Sequence, residues 1–286
     1  MVALKSEQIL WRGLCRTKRL NIFLREARHK TATLDWRKEQ IITDYIKEFI
    51  SIIQTLDRSK NIGTVFRDFL TLSTCSLSQP FLKNPDIEQV YSKTITNYTK
   101  EQAEVFSKLL ALLVMALDAK HQDFLGQVFS MLNLGNSNKG QFFTPYSVSK
   151  LMAEINIADF ENKLKEKEFI TLSEPCSGSG GIIIACAETM KEKGYNYQKQ
   201  LFVEAIDIDE ICFMMTYIQL SLYGIGARVM LGDTLAWKIQ KVLYTPMYFI
   251  NGFYWKLKTK TEEVKEDLPK PKILTNPVQL QLLNFS

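Results

Sequence analysis

Apolar residues recur every three or four positions through most of the first half of the chain, which is the spacing of one buried helix face. The pattern is clearest over residues 35–56, where apolar side chains from Ile41 to Leu56 keep this spacing. The alternating pattern of a strand is almost absent before residue 165. We therefore predict an all-α N-terminal domain over residues 1–135. Its predicted helices span 35–56, 65–77 (ending near Pro80), 99–117 and 123–132.

The pattern changes after a polar, turn-rich linker at residues 133–140. Short apolar runs then alternate with longer segments of helical period, an arrangement that favours right-handed βαβ units and a parallel sheet. We predict an α/β fold for a second domain, residues 140–286, with a Rossmann-like, mostly parallel sheet. The predicted strands are 169–172, 201–206 and 227–231, and the predicted helices are 182–193 and 210–223.

Composition indicates a globular protein, with 46% hydrophobic and 23% charged residues. The longest apolar run, residues 109–117, is too short to cross a bilayer, and the N-terminus has no secretory signal. Five scattered cysteines without a CxxC pair favour reduced thiols over disulfides or a zinc site. We therefore expect a cytoplasmic protein without a membrane partner.

The modest net charge of +5 is concentrated near the N-terminus. A basic segment of this kind can contact DNA phosphates or a partner, although a solvated helix face is an equally good interpretation. The cationic residues concerned are Arg12, Arg16, Lys18, Arg19, Arg25, Arg28 and Lys30.

A glycine-rich loop, residues 173–181, follows the first predicted strand and opens a helix. Gly178, Gly180 and Gly181 remove side chains where a nucleotide-like ligand would approach the backbone, although a simple tight turn also explains them. The dinucleotide pattern G-x-G-x-x-G fails because Ile183 occupies the third glycine position. This spacing disfavours a nicotinamide-dependent dehydrogenase.

Acidic residues follow the next two predicted strands. Asp207 at the end of the second strand can accept hydrogen bonds from ribose hydroxyls, whereas Asp209 is better explained as a helix N-cap. Asp233 follows the third strand and can accept from the exocyclic amine of an adenine ring. Three strand-end features in this order favour a nucleotide-like cofactor more strongly than any one of them.

The segment GQFFTP, residues 140–145, precedes the glycine-rich loop by about thirty residues. Locally, Thr144 is expected to cap a helix with Pro145 in its first position. The order GQFFTP, PCSGSGG, AIDIDE and GDTL resembles the N6-adenine DNA methyltransferases, specifically the modification (M) subunits of type I restriction–modification systems. The similarity covers roughly residues 120–235, and it also implies a helical N-terminal domain.

The resemblance implies S-adenosyl-L-methionine (SAM) as cofactor and methyl transfer to the N6 amine of an adenine flipped out of DNA. It also implies DNA and a separate specificity subunit as partners. The resemblance also implies which residues bind the cofactor, beginning at its methionine end. Asp207 would bind the ribose and Asp233 the adenine amine. The full set is Gln141, Phe142, Phe143, Thr144, Glu174, Cys176, Gly178, Gly180, Asp207 and Asp233.

The family's catalytic loop, Asn/Asp-Pro-Pro-Phe/Tyr, has no intact counterpart in this chain. Its Asn and a backbone carbonyl accept the amine hydrogens, and its aromatic ring stacks on the base. The positional counterpart is Asn251-Gly252-Phe253-Tyr254, after a strand predicted at 247–250, with Asn251 and Tyr254 as catalytic residues. Both prolines are missing and Gly252 adds backbone freedom, so a turn that ends a strand is the alternative. A second candidate, Asn276-Pro277, comes later and lacks the aromatic residue.

We expect the methyltransferase domain to be truncated at its C-terminus and to lack a target-recognition domain. Two hypotheses follow from the sequence. The first is an adenine-specific DNA methyltransferase. The second is a catalytically inactive SAM- and/or DNA-binding homologue with a regulatory or complex-forming role.

Overall fold

The computed structural model describes residues 35–135 and 143–257, and its first part consists of five helices. This agrees with the predicted all-α character, while the basic residues between 12 and 30 lie outside the described residues. The helices are α1 (Asp35–Thr55), α2 (Ile62–Leu82), α3 (Pro85–Ile95), α4 (Lys100–Ala119) and α5 (Phe124–Met131).

Side-chain caps determine where several of these helices begin. The Asn61 side chain accepts from the Gly63 amide at the start of α2, and Asn84 does the same for Asp86 at the start of α3. Thr99 and Gln102 form a reciprocal capping box at α4. These caps satisfy amide groups that have no partner within the helix.

Helix α2 corrects one prediction, because it continues through Pro80 to Leu82 instead of ending near that proline. Pro80 lies in the last turn of the helix, and its missing amide removes one hydrogen bond there. Only two helical residues follow Pro80, so the cost to the helix is small. The helix ends at Lys83, whose left-handed backbone (φ 50°) lets its amide donate to the Gln79 carbonyl.

The second part of the chain is an α/β unit, as predicted. Its sheet has the order β1-β2-β3-β4, in which β1, β2 and β3 are parallel and β4 is antiparallel to β3. The elements are α6 (Tyr146–Glu166), β1 (Ile170–Glu174), α7 (Gly181–Glu192), α8 (Tyr197–Gln200), β2 (Leu201–Asp207), α9 (Glu210–Tyr223), β3 (Gly226–Asp233), β4 (Lys238–Tyr244) and α10 (Pro246–Ile250).

The strand predicted at residues 247–250 is wrong, because these residues belong to helix α10. Thr245 precedes that helix and Pro246 occupies its first position, where a proline is well tolerated. The fourth strand is instead β4, which runs antiparallel to β3. It therefore returns the chain from the carboxyl edge of the sheet, where β1–β3 end, to the amino edge, where they begin.

One continuous hydrophobic core joins the helical part to the sheet. Helix α2 packs on α9, where the Thr71 hydroxyl approaches the Met214 sulfur at 3.7 Å. The division into domains at residues 135–140 stays a prediction, since buried side chains from both sides belong to the same core. Across residues 35–135 and 143–257, no helix has the length and apolarity needed to cross a membrane.

Candidate cofactor site

The glycine-rich loop adopts a backbone that requires glycine at two positions. Gly178 and Gly180 have φ angles of +55° and +93°, in the left-handed region that other residues avoid. A Cβ atom on Gly178 would also lie 3.1 Å from Cδ1 of Phe143. Loop and aromatic ring are therefore packed as closely as bare backbone allows.

Neighbouring elements hold the loop in this shape. The Ser177 amide donates to the Ile206 carbonyl on β2 at 2.9 Å, and the Thr216 hydroxyl on α9 donates to the Gly178 carbonyl at 2.8 Å. Both contacts come from elements that belong to the core. The loop is therefore preformed by the fold.

Asp207 connects the loop to the carboxyl end of β2. Its Oδ2 accepts the Gly178 amide at 2.7 Å, and its Oδ1 accepts the Asp209 amide at 2.9 Å. Burial raises the pKa of Asp207, and the hydrogen bonds from backbone amides oppose that shift. Each carboxylate oxygen keeps a second lone pair that can accept from a ligand hydroxyl. Asp209 caps α9 by accepting from the Ile211 and Cys212 amides, as predicted.

Glu174 ends β1 beside this carboxylate. Its Oε1 accepts the Cys176 amide at 3.2 Å. Burial raises the pKa of Glu174, and the negative charge of Asp207 raises it further. Two carboxyl groups therefore share the carboxyl edge, where they favour a cationic ligand group over an anionic one.

Asp233 ends β3 at the same edge. Its Oδ1 accepts the Leu235 and Ala236 amides at 2.8 and 3.0 Å, which shapes the turn into β4. The Thr234 hydroxyl donates to the Pro175 carbonyl at 2.6 Å and fastens this turn to the start of the glycine-rich loop. The three strand-end acids predicted from sequence thus come together at one edge of the sheet.

Two exposed apolar side chains at this edge were missed by the sequence analysis. Ile208 follows Asp207 directly and is 68% exposed, while Leu235 lies two residues after Asp233 and is fully exposed. Their position one or two residues after strand-end acids was the available signal. Apolar side chains beside hydrogen-bonding acids can hold a flat heteroaromatic ring.

The GQFFTP segment reaches the site in part. The Phe143 ring lies against Gly178 and meets Phe129 edge-on at 5.3 Å. Thr144 is exposed, and the predicted cap is wrong, because α6 begins one residue later with Pro145 at the N-cap and without a side-chain cap hydrogen bond. Cys176 is an exposed free thiol beside the loop. Gln141 and Phe142 lie outside the described residues.

Asn251 and Tyr254 are not brought to this edge. The Asn251 amide donates to the Gln198 carbonyl at 2.5 Å, and Gln198 lies just before β2 begins, at the amino edge. Tyr254 lines a cavity of about 320 Å³ with Glu204, Arg228 and aromatic residues over β2–β4. The length of a seven-residue strand, roughly 20 Å, separates the two edges. The reversal at β4 is the cause of this separation.

These features fit SAM in three respects. Gly178 and Gly180 give the loop a backbone without side chains, called the glycine cradle below, and the carboxylates of Glu174, Asp207 and Asp233 suit an amine and ribose hydroxyls. The exposed Ile208 and Leu235 suit an adenine ring.

Comparison with known proteins places the chain in a family. The N-6 DNA Methylase family profile matches residues 120–269, more than half of the chain. A search of curated proteins found no relative with significant sequence similarity.

Two solved structures are similar to this chain at low identity. One, from Listeria monocytogenes, is described as a class I S-adenosylmethionine-dependent methyltransferase, with 11% identity and a TM-score of 0.42 over 70% of this chain and 54% of that one. The other is a nuclease-deletion mutant of the Type ISP restriction–modification enzyme LlaGI with a DNA substrate mimic, with 16% identity and a TM-score of 0.30 over 77% of this chain and 24% of that one. The chain thus spans about half of the first structure and a quarter of the second. On the family match, the chain belongs to the N-6 DNA methylase family, whose methyl donor is SAM.

Proposed function

We propose that the chain is an adenine-specific DNA methyltransferase of the type I modification-subunit kind. A separate specificity subunit selects the DNA target in this proposal. SAM binding, the first part of this proposal, is supported by the hydrogen bond from the Gly178 amide to Asp207, which joins a strand-end acid to the glycine cradle. The match to the N-6 DNA methylase family supports adenine N6 as the acceptor.

The proposed cofactor contacts lie along the carboxyl edge. Asp207 accepts from the ribose hydroxyls, Asp233 accepts from the adenine amine, and Glu174 lies nearest to the amino-acid part. SAM supplies an electrophilic methyl group on its sulfonium. Because elements of the core hold the loop in its conformation, the chain's main contribution is orientation. The remaining proposed contacts, predicted from the sequence, are Gln141, Phe142, Phe143, Thr144, Cys176, Gly178 and Gly180.

The residues that position the target adenine are assigned differently from the sequence prediction. Asn251 donates to Gln198 at the amino edge, so we propose that Asn251 and Tyr254 stabilise that edge and do not contact the base. Asn276, which lies outside the described residues, is then the remaining candidate for an adenine amine acceptor. In the family's chemistry, the Asn side-chain oxygen accepts an amine hydrogen and turns the nitrogen lone pair towards the methyl group.

A calorimetric titration with SAM, followed by transfer of tritiated methyl groups to DNA of mixed sequence, tests the proposal. Nucleosides from the labelled DNA should contain N6-methyladenine. Labelled cytosine would contradict the adenine assignment. The variants Asn276→Ala and Asn251→Ala provide a matched pair, and only the first is expected to abolish transfer while SAM still binds.

A second candidate function is a SAM- and DNA-binding homologue without transfer activity. The position of Asn251, far from the cofactor residues, favours it, because the positional counterpart of the catalytic loop is then unavailable to the base. SAM binding without label transfer, with or without a specificity subunit, would support this candidate and reject the first. Steep salt dependence of DNA binding would then be expected.

A further inference from the structure

Asp123 is a fully buried acid where the helical part meets the glycine-rich loop. It caps α5, and its Oδ1 accepts the Gly126 amide at 3.0 Å and the Gln219 side-chain amide of α9 at 2.8 Å. Its Oδ2 accepts the Ser179 hydroxyl of the loop. Three elements therefore donate to one carboxylate. Burial raises the pKa of Asp123, and these three hydrogen bonds oppose the shift.

Gln219 completes the connection from the other side. Its Nε2 also donates to the Ser179 carbonyl at 2.7 Å, and its Oε1 accepts the Leu125 amide of α5 at 3.1 Å. Ser179 is thus held at both its hydroxyl and its carbonyl. Because Asp123, Ser179 and Gln219 are all buried, water competes little for these bonds.

The packing around this cluster leaves no space for a side chain at Gly126 of α5 and little at Gly181 of α7. A Cβ on Gly126 would overlap Asp123 and the Ser179 hydroxyl, and one on Gly181 would lie 3.2 Å from Asp123 Oδ2. The start of α5 therefore presses directly on the loop. A displacement of α5 would move Ser179 with it.

We propose that Asp123 is a positioning residue that fixes the glycine-rich loop in its SAM-binding conformation through Ser179. This rests on the cofactor site proposed above. Ser179 lies between Gly178 and Gly180, the two residues with left-handed backbones, which have the greatest freedom to leave that shape. A charge-assisted hydrogen bond to the residue between them limits that freedom, and preorganisation of this kind increases affinity. SAM affinity thereby depends on the packing of the helical part.

The test compares Ser179→Ala with Ser78→Ala in the full-length chain. Both serines are buried, but the Ser78 hydroxyl donates to the Thr74 carbonyl within α2, away from the loop. By calorimetry, Ser179→Ala should raise the Kd for SAM about tenfold, whereas Ser78→Ala should leave it unchanged. Urea unfolding of both variants measures stability separately. A merely structural role would lower the stability of Ser179→Ala without changing the Kd of the folded protein, which would overturn the proposal.

Two further variants cover the case in which Ser179→Ala does not fold. Ser179→Cys keeps the shape of the side chain with a somewhat larger and weaker donor, and it should raise the Kd severalfold. In Asp123→Asn combined with Ser179→Cys, the two effects on affinity should be non-additive, as expected for one shared contact. Additive effects, or no effect on Kd, would contradict the assignment. If the unaltered chain does not bind SAM, the proposed cofactor site itself is wrong, an outcome visible before any variant is compared.

Discussion

The two edges of the sheet use similar residue types for different purposes. At the carboxyl edge, Asp207 accepts backbone amides of the glycine-rich loop, and apolar side chains such as Leu235 remain exposed. At the amino edge, Asn251 is hydrogen-bonded to Gln198, and Phe253 is completely buried. The carboxyl edge thus presents the three strand-end acids beside the glycine-rich loop, whereas at the amino edge Phe253 belongs to a buried aromatic cluster.

Residues that match a cofactor-site motif in sequence can serve that site only if they lie at the carboxyl edge of the sheet. Asn251 and Asp233 are 18 residues apart in sequence, and β4 carries the chain between them to the opposite edge. Ligands of open α/β sheets bind beyond the carboxyl ends of the parallel strands. Side chains at the amino edge are therefore expected to affect stability, and those at the carboxyl edge to affect affinity for SAM.

The largest difference in SAM affinity is expected between alanine substitutions at two glycines with left-handed backbone. Gly178 and Gly252 have φ angles of +55° and +67°, so alanine costs each about 1 kcal/mol in folding. Only Gly178→Ala also brings a Cβ to 3.1 Å from Phe143, whereas nothing lies within 4 Å of the corresponding position on Gly252. Gly178→Ala should raise the Kd for SAM about 100-fold, or about 2.7 kcal/mol. An equal loss of affinity in Gly252→Ala would remove the distinction between the edges.

The next largest effect concerns pH at the amino edge. The His121 ring stacks on Tyr223 at 4.9 Å, and burial, followed by the charge of Lys191, lowers its pKa to about 4. The imidazole of His121 takes up a proton near pH 6.5 in the unfolded chain but only near pH 4 in the folded protein. The contribution of neutral His121 to the free energy of unfolding is therefore complete above about pH 6.5 and declines as the pH falls. At pH 5 the loss should be about 2 kcal/mol.

Urea unfolding at pH 7 and pH 5 checks this prediction by comparison with His121→Phe. The phenylalanine keeps a ring against Tyr223 and removes the titration. Buried carboxyl groups with raised pKa values, such as Asp123, act in the opposite direction in both proteins, so the difference between them isolates the histidine. Identical pH dependence in the two proteins would show that His121 is not kept neutral by burial.

Local patterns in the sequence were sufficient for β1–β3, α7 and α9, because their apolar runs and helical periods are unambiguous. The carboxyl-edge acids followed, since parallel strands end at one edge. Strand β4 was missed because its residues are only partly buried, and the apolar run at 247–250 appeared to be a better strand despite the helix-starting Thr245-Pro246. The contacts of Asp123 have no local signature, since Gln219 lies 96 residues away. Long-range polar contacts of this kind depend on tertiary packing, which the periodicity of apolar residues does not predict.

Substitutions of two acids on β2 are expected to distinguish SAM affinity from folding stability. Glu204 and Asp207 lie three residues apart, but Glu204 is ion-paired with Arg228 at 2.5 Å, whereas Asp207 accepts the Gly178 amide. Asp207→Asn removes the charge and one acceptor at the cradle, and should raise the Kd for SAM about tenfold, or about 1.4 kcal/mol. Glu204→Gln should leave the Kd unchanged and lower the free energy of unfolding by about 1 kcal/mol at most. Weaker SAM binding in Glu204→Gln would mean that the cavity near Tyr254 influences the cofactor site.

The smallest effect is expected for Asn251→Ala. The substitution removes one hydrogen bond to the Gln198 carbonyl, so the free energy of unfolding should fall by about 1 kcal/mol. SAM affinity and the rate of methyl transfer should both be unchanged, because the side chain lies at the opposite edge from Asp207 and Asp233. Calorimetry and label transfer on the same preparation measure the two quantities. If transfer fell by more than tenfold while SAM still bound normally, Asn251 would have to reach the adenine, and β4 would have to leave the position described above. The amino edge would then be part of the catalytic site instead of its support.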